Sequence, residues 1–243
     1  MAAQETQRVA LVTGAGRGIG RATALSLARE GCSLALAARS FDELETTRRL
    51  SGLPAARALI VLIDLADEDA PQKLFDAALE HFGQIDVLVN NAGWAPPRTS
   101  LIKTSAPVQD RILAVNLRAT IALTRLAAAW MVKAGGGTII NIASAAARNA
   151  AAGEAVYTAA KAGLVAFSRA AFAELRSSGI KLAVISPGLV DTALIPYNKH
   201  LDRALMLSAE DVAEAVIAVL RAPARACPVE IVLEPQRNPE RTR

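Results

Sequence analysis

Short, almost wholly apolar runs alternate along the chain with longer stretches in which apolar positions recur every three or four residues. The runs Arg8–Thr13, Ser33–Ala38, Ala58–Ile63, Ile85–Val89, Thr138–Ile142, Ile180–Ser186 and Val229–Leu233 are rich in aliphatic and β-branched residues and bounded by Gly, Asp or Asn. That pattern predicts strands buried on both faces. Helical spacing covers Gly18–Glu30, Phe41–Leu50, Asp67–Phe82, Pro107–Lys133, Glu154–Ser177 and Ser208–Arg221. Strand–helix alternation from end to end predicts one α/β domain over residues 1–243, a doubly wound seven-stranded parallel sheet with helices on both faces. In such a sheet the ligand site lies at the carboxyl ends of the strands. Ala222–Pro228 reads as a turn, and Gln236–Arg243 as a polar tail.

Composition narrows the core chemistry. Hydrophobic residues make up 52% of the chain but aromatics only 4%, so Ala, Val, Leu and Ile must fill the interior. The excess of 27 basic over 23 acidic residues is mild and suits anionic small molecules rather than nucleic acid. Cys32 and Cys227 lack C-x-x-C spacing and read as reduced packing residues. His81 and His200 belong to no ligand cluster, so no metal site is expected. MAAQETQRVA has no apolar core of the kind a signal peptide needs, and charges such as Arg125 and Lys133 interrupt the apolar stretches. The expectation is a cytoplasmic protein without a membrane span.

The first strand runs into Thr13-Gly14-Ala15-Gly16-Arg17-Gly18-Ile19-Gly20 and then a helix. A glycine-rich turn at a helix N-terminus lets backbone N–H groups approach a pyrophosphate. T-G-x-x-x-G-I-G resembles the cofactor loop of the short-chain dehydrogenases/reductases, which implies a Rossmann-type fold and a nicotinamide cofactor bound at Gly14, Arg17, Gly18, Ile19 and Gly20. NAD preference calls for a carboxylate about 20 residues past the loop, at the end of strand two. Ala37-Ala38-Arg39-Ser40 stands there, and the nearest acid, Asp42, is already in the next helix. Arg39 can fork onto a 2′-phosphate, and Arg17 is placed to reach the same group, so the expected cofactor is NADP(H).

Further cofactor elements follow from the resemblance. Asp64-Leu65 would meet the adenine, the Asp taking its amino group. Asn90-Asn91-Ala92-Gly93 matches the family's N-N-A-G, placing Asn91, Ala92 and Gly93 against the adenosine ribose. Pro187-Gly188-Leu189-Val190-Asp191-Thr192 resembles its P-G segment, with Pro187, Gly188, Val190 and Thr192 meeting the nicotinamide half.

Tyr157-Thr158-Ala159-Ala160-Lys161 puts a phenol and an ammonium four residues apart, on one helical face. Tyr titrates near ~10 in water, and a neighbouring ammonium favours the phenolate, bringing it within range of proton transfer. Ser144, thirteen residues before Tyr157, matches the family serine that hydrogen-bonds the reacting oxygen. Asn116 matches the asparagine that distorts its helix and holds a water linked to the lysine. The resemblance thus implies a catalytic set of Asn116, Ser144, Tyr157 and Lys161. In it Tyr157 protonates the carbonyl oxygen during hydride transfer, and Lys161 also binds the nicotinamide ribose.

The substrate is a small carbonyl compound or alcohol of unspecified identity. Trp94, Ala145, Arg148, Leu189, Leu194, Ile195 and Tyr197 are the candidate lining, Arg148 being an anchor for a carboxylate, with a substrate loop over about 189–207. An alternative is a 3-oxoacyl-carrier-protein reductase, whose acidic carrier would dock on Arg98, Lys103, Arg111, Arg118, Arg125 and Lys133. Ile231-Val232-Leu233-Glu234-Pro235-Gln236 departs from the V-D-G-G-like ending of those enzymes, and Ser178 stands where they often have Arg. The alternative from another class is a non-catalytic NADPH-binding sensor or scaffold. Pairing of the Ala-rich helices 107–133 and 154–177 predicts a homotetramer or homodimer.

Overall fold

A computed structural model describes residues 7–195 and 198–240. Tyr197, one of the expected lining residues, lies outside the described residues. Seven parallel strands, β1 (Val9–Thr13), β2 (Ser33–Ala38), β3 (Ala58–Leu62), β4 (Val87–Asn90), β5 (Gly137–Ile142), β6 (Ile180–Pro187) and β7 (Glu230–Leu233), form one sheet in the order 3-2-1-4-5-6-7. The order reverses between β1 and β4, where Val12 lies level with Val89. That switch point opens a crevice at the strand ends.

The helices are α1 (Gly18–Arg29), α2 (Phe41–Ser51), α3 (Ala70–Phe82), α4 (Ala106–Leu113), α5 (Ala119–Ala134), α6 (Ala155–Leu175) and α7 (Ala209–Arg221). α1 and α7 cover one sheet face, where Leu27, Leu36, Ile140, Ile185 and Val216 pack together. α3 and α5 cover the other over Leu11, Leu74, Leu88, Leu123 and Ile139. Aliphatic strands buried on both faces are what the near-continuous apolar runs demanded.

Three departures from the sequence expectation go beyond the ends of strands and helices shifting by a residue or two. α3 starts at Ala70 rather than Asp67, because Pro71 has no N–H and fits only the first helical turn. The expected helix 107–133 is broken by a π turn at Ala114–Arg118. The tail does not simply trail into solvent: Pro239 is buried, and Glu240 forms an antiparallel bridge with Leu201. The stretch Ala106–Ala134 is apolar enough by composition to cross a membrane, but over half of its most apolar window is buried within the fold.

Candidate active site

The cofactor loop follows directly from its glycines. Gly14 adopts φ +64°, a left-handed conformation that side chains disfavour. A Cβ on Gly20 would lie 2.1 Å from the Gly14 carbonyl oxygen, so α1 can approach β1 only with glycine there. No side chain caps the α1 N-terminus, and the N–H groups of its first turn face the loop. Thr13 was quoted in the motif without a role, yet its Oγ1 accepts from the N–H groups of Asn91 and Ala92, both at 3.0 Å. Asn91 donates in turn to the Thr13 carbonyl at 2.9 Å. The N-N-A-G segment is thereby stitched to the glycine loop. Thr192, from the P-G segment, lies against Gly18 from the other side.

At the β2 end, Arg39 is exposed and its nearest carboxylate, Asp64, stands 4.0 Å away. Arg17 pairs with Glu43 at 3.4 Å, an exposed contact that opposes its charge only weakly. Asp64 is half-buried beside the buried Leu65 and accepts from the Ala66 N–H at 3.0 Å and from Arg111 at 2.7 Å. Burial alone would raise its pKa, but those hydrogen bonds and the nearby Arg39 leave it below the ordinary carboxylate value. Arg111 was counted in the sequence only as part of a basic face. Its guanidinium also lies 5.5 Å from the centre of the Trp94 ring.

The catalytic candidates converge at the ends of β4 and β5 and the start of α6. Lys161 is buried and donates to the Ile142 carbonyl at 3.0 Å. Burial, with no carboxylate to offset it, lowers its pKa to about 8. Its Nζ stands 5.8 Å from the centre of the Tyr157 ring. Tyr157 does not follow the simplest expectation, in which Lys161 brings its pKa down. Burial raises it, the Ser144 hydroxyl pulls the other way, and Glu154 raises it further. Ser144 Oγ accepts from the Ala146 N–H at 3.1 Å, which leaves the hydroxyl proton for another acceptor.

Asn116 is fully buried in the π turn, donating to the carbonyls of Ile112 at 2.9 Å and Trp94 at 2.7 Å. Its Oδ1 accepts from the Trp94 N–H at 3.2 Å. The bond to Ile112 pulls the side chain back onto its own helix and widens the turn. A Cβ built on Gly93 would sit 3.2 Å from Asn116 Oδ1 and 3.8 Å from Lys161 Nζ, so these three residues meet. Below them Asn90 donates to Thr124 and to Asn141, and Asn141 donates to Ser168 at 2.9 Å. This buried polar chain ties β4 and β5 to α5 and α6.

A shallow cleft beside Tyr157 is lined mainly by Ala95, Pro96, Pro97, Leu101, Ile112 and Val156. Arg98 paired with Glu154 at 2.8 Å, and the Thr99 N–H on the Gly153 carbonyl at 3.1 Å, join the two loops that flank it. Arg148, expected to anchor a carboxylate, is instead bound to Glu230, which also takes Arg169. Among the described residues no cluster of His, Cys, Asp and Glu is suited to a metal ion.

A sequence profile described as short chain dehydrogenase matches residues 8–201. The chain belongs to that family. The family's members are oxidoreductases that use a nicotinamide cofactor. The chain is 37% identical over 191 residues to a cis-4-hydroxycyclohexanecarboxylate dehydrogenase of Sinomonas cyclohexanicum, covering 78% of this chain and 76% of that one. It is 30% identical over 233 residues to an oxidoreductase of Staphylococcus epidermidis, covering 96% and 99%. A metagenomic short-chain oxidoreductase solved in complex with NADP superposes with TM-score 0.82 at 32% identity, over 95% of this chain and 98% of that one. A Serratia marcescens short-chain dehydrogenase/reductase double mutant gives 0.84 at 31% identity, over 94% and 96%. The short-chain dehydrogenase fold thus accounts for the whole seven-stranded sheet.

Proposed function

We propose that the chain is an NADPH-dependent reductase of small carbonyl compounds, or a dehydrogenase of the matching alcohols. The observation that carries this reading is the buried Lys161 beside Tyr157 and Ser144, at the same strand ends as the glycine-rich cradle, with Gly93 so close that a Cβ there would sit 3.8 Å from Lys161 Nζ. Within that cradle Gly14, Gly18, Ile19 and Gly20 would take the pyrophosphate, and Asp64, Leu65, Asn91, Ala92 and Gly93 the adenosine. Pro187, Gly188, Val190 and Thr192, with Lys161 at the ribose, would take the nicotinamide half. Bound there, the cofactor supplies or accepts the hydride at the substrate carbon.

The protein's own part is proton placement. Tyr157, kept neutral by burial, holds a proton at its hydroxyl for the substrate oxygen. Ser144, whose hydroxyl bears on Tyr157, would turn its proton to the same oxygen once substrate is bound. Lys161 uses one N–H on Ile142 and keeps two for the site. Asn116 has both amide hydrogens engaged, on the Ile112 and Trp94 carbonyls, so a water at this turn would meet the side chain only by donating to Oδ1.

Support for NADPH over NADH comes from Arg39, exposed where a carboxylate would face the 2′-hydroxyl. NADPH should bind at least about tenfold tighter than NADH, about 1.4 kcal/mol. Arg39→Asp should erase or reverse that ratio in fluorescence titrations, and equal dissociation constants in the unmodified protein would contradict it.

The apolar cleft and the activity named for the Sinomonas relative make cyclic secondary alcohols, and the corresponding ketones, the first class to assay. A carrier-linked substrate is less supported, because Arg98, Arg111 and Arg118 of the basic set are engaged inside the molecule. NADPH consumption across ketones, 3-oxoacyl thioesters and quinones tests the reading, and no turnover on any of them overturns it.

Leu113, Ile121 and Val132 remain exposed along α4 and α5, which supports a homo-oligomer paired on these helices. Light scattering at micromolar concentration should give a dimer or tetramer, and a monomer mass would refute the pairing.

A further inference from the structure

We propose that Arg203 is a positioning residue that fixes the segment Asp191–Ile195 against the glycine loop. The proposal rests on the reductase reading above and adds to it a residue that no motif contains. Arg203 opens a short 3-10 turn, Arg203–Leu205, whose first N–H groups are capped by Asp202, with Oδ1 accepting from Ala204 at 3.1 Å. From that turn the guanidinium reaches back across the loop. Its Nε donates to Asp191 Oδ1 at 2.7 Å, its Nη1 to the Ile195 carbonyl at 3.2 Å and its Nη2 to the Thr192 carbonyl at 3.1 Å.

One planar fork thus holds one carboxylate and two backbone carbonyls that would otherwise face each other with no donor between them. Only arginine has donors in that arrangement, and lysine could keep the charge but not the fork. The loop is also closed at its base, since Asp191 donates to the Leu207 carbonyl at 2.8 Å and Leu207 to the Leu189 carbonyl at 2.9 Å. Its outer limb is held from a third side, where the Asp202 N–H donates to the Pro239 carbonyl at 2.8 Å.

The consequence for the site lies in what the held segment touches. Thr192 Cγ2 stands 3.2 Å from where a Cβ on Gly18 would be, so the segment seats directly on the cofactor loop. Leu194, on the same segment, is exposed, an apolar side chain kept at the surface by the anchored backbone around it. Arg203 itself sits eleven residues beyond Thr192 and touches none of the catalytic candidates. Its influence on turnover passes through the backbone it holds. Misplacing a segment that seats on the cofactor loop by about 1 Å can cost on the order of 10²-fold in rate.

Arg203→Met and Arg203→Lys separate this role from a general contribution to folding. For Arg203→Met, kcat/KM for the carbonyl substrate should fall by at least about tenfold. The NADPH dissociation constant should move less than about threefold, because the adenosine half is gripped elsewhere. Hydrogen–deuterium exchange of the apo protein should quicken at Asp191, Ile195 and Leu207 by about tenfold, with the sheet unchanged. Arg203→Lys should recover part of both effects through the Asp191 pair. A kcat/KM equal to the parent's would overturn the proposal. So would a kinetic loss with unchanged loop exchange, or faster exchange spread through the strands. If the parent turns over no carbonyl, the reductase reading fails, while the exchange data still decide whether Arg203 anchors the loop.

Discussion

Tyr157→Phe should lower carbonyl reduction by ~10²–10⁴, the range for loss of a general acid, while NADPH binding stays within about twofold. The substitution removes one hydroxyl and keeps the ring that packs at the α6 N-terminus, so the fold has no reason to respond. The size of the effect follows from the proton balance. In the buried site the phenol is neutral at pH 7, since burial raises its pKa above the ordinary value. It is therefore a proton donor in the reductive direction, and nothing nearby replaces it: Ser144 is a far weaker acid, and Lys161 lies beside the ring. The oxidative direction needs the phenolate and should gain rate as pH rises. Stopped-flow or steady-state NADPH consumption, paired with fluorescence titration of the cofactor, checks both halves. A Phe variant that reduces substrate at the parent rate would reduce Tyr157 to a packing residue.

Lys161→Met should abolish turnover to a similar degree, ~10²-fold or more, and yet leave the apo protein at least as stable at pH 7. The two outcomes have a common cause. Lys161 is fully enclosed, with one hydrogen bond to Ile142 and no carboxylate partner, and its pKa falls from 10.5 to about 8. The folded state therefore binds its proton less tightly than the unfolded chain does. Stability is depressed below pH 8, where both states are protonated. It recovers as pH rises from about 8 toward 10.5, where only the unfolded chain still holds the proton. A gap of that size corresponds to roughly 3 kcal/mol, of which Met should recover a part, because the Ile142 carbonyl is then left without its donor. Thermal denaturation of both proteins at pH 7 and pH 9.5 is the test. The parent should gain on Met across that interval from this group alone. A Met variant markedly less stable at pH 7 would mean that Lys161 is a structural pillar rather than a group maintained for chemistry.

Much of the candidate site could be read without coordinates because the chemistry proposed for it depends on local spacing. Tyr157 and Lys161 share a face because an offset of four residues is just over one helical turn. Gly14, Gly18 and Gly20 are recognisable because each answers a backbone demand within one eight-residue turn. Arg39 was legible as the residue at a fixed offset from that turn. What spacing did not disclose are the partners of charged groups. Arg148 was free to anchor a carboxylate until the β6–β7 pairing brought Glu230 beside it. Arg111 looked like one of six surface cations until α4 packed near the end of β3 and placed it on Asp64. Tyr157 was expected to titrate lower, because the sequence shows the nearby ammonium but not the burial that opposes it.

By itself the sequence determined the alternation of strands and helices, the parallel sheet and the order of its motifs. Each of these rests on periodicity or on backbone rules that act over a few residues. The tertiary structure alone decided how long-range pairs formed: Asn116 opening its own helix at a π turn, Thr13 stitching β1 to the N-N-A-G segment, and Pro239 reaching the loop that Arg203 holds. These contacts join positions tens of residues apart, 78 in the case of Thr13 and Asn91, or depend on which side chain a fold leaves within about 3 Å of a carbonyl. Local propensity carries no record of that distance, which is set only when the layers close on one another.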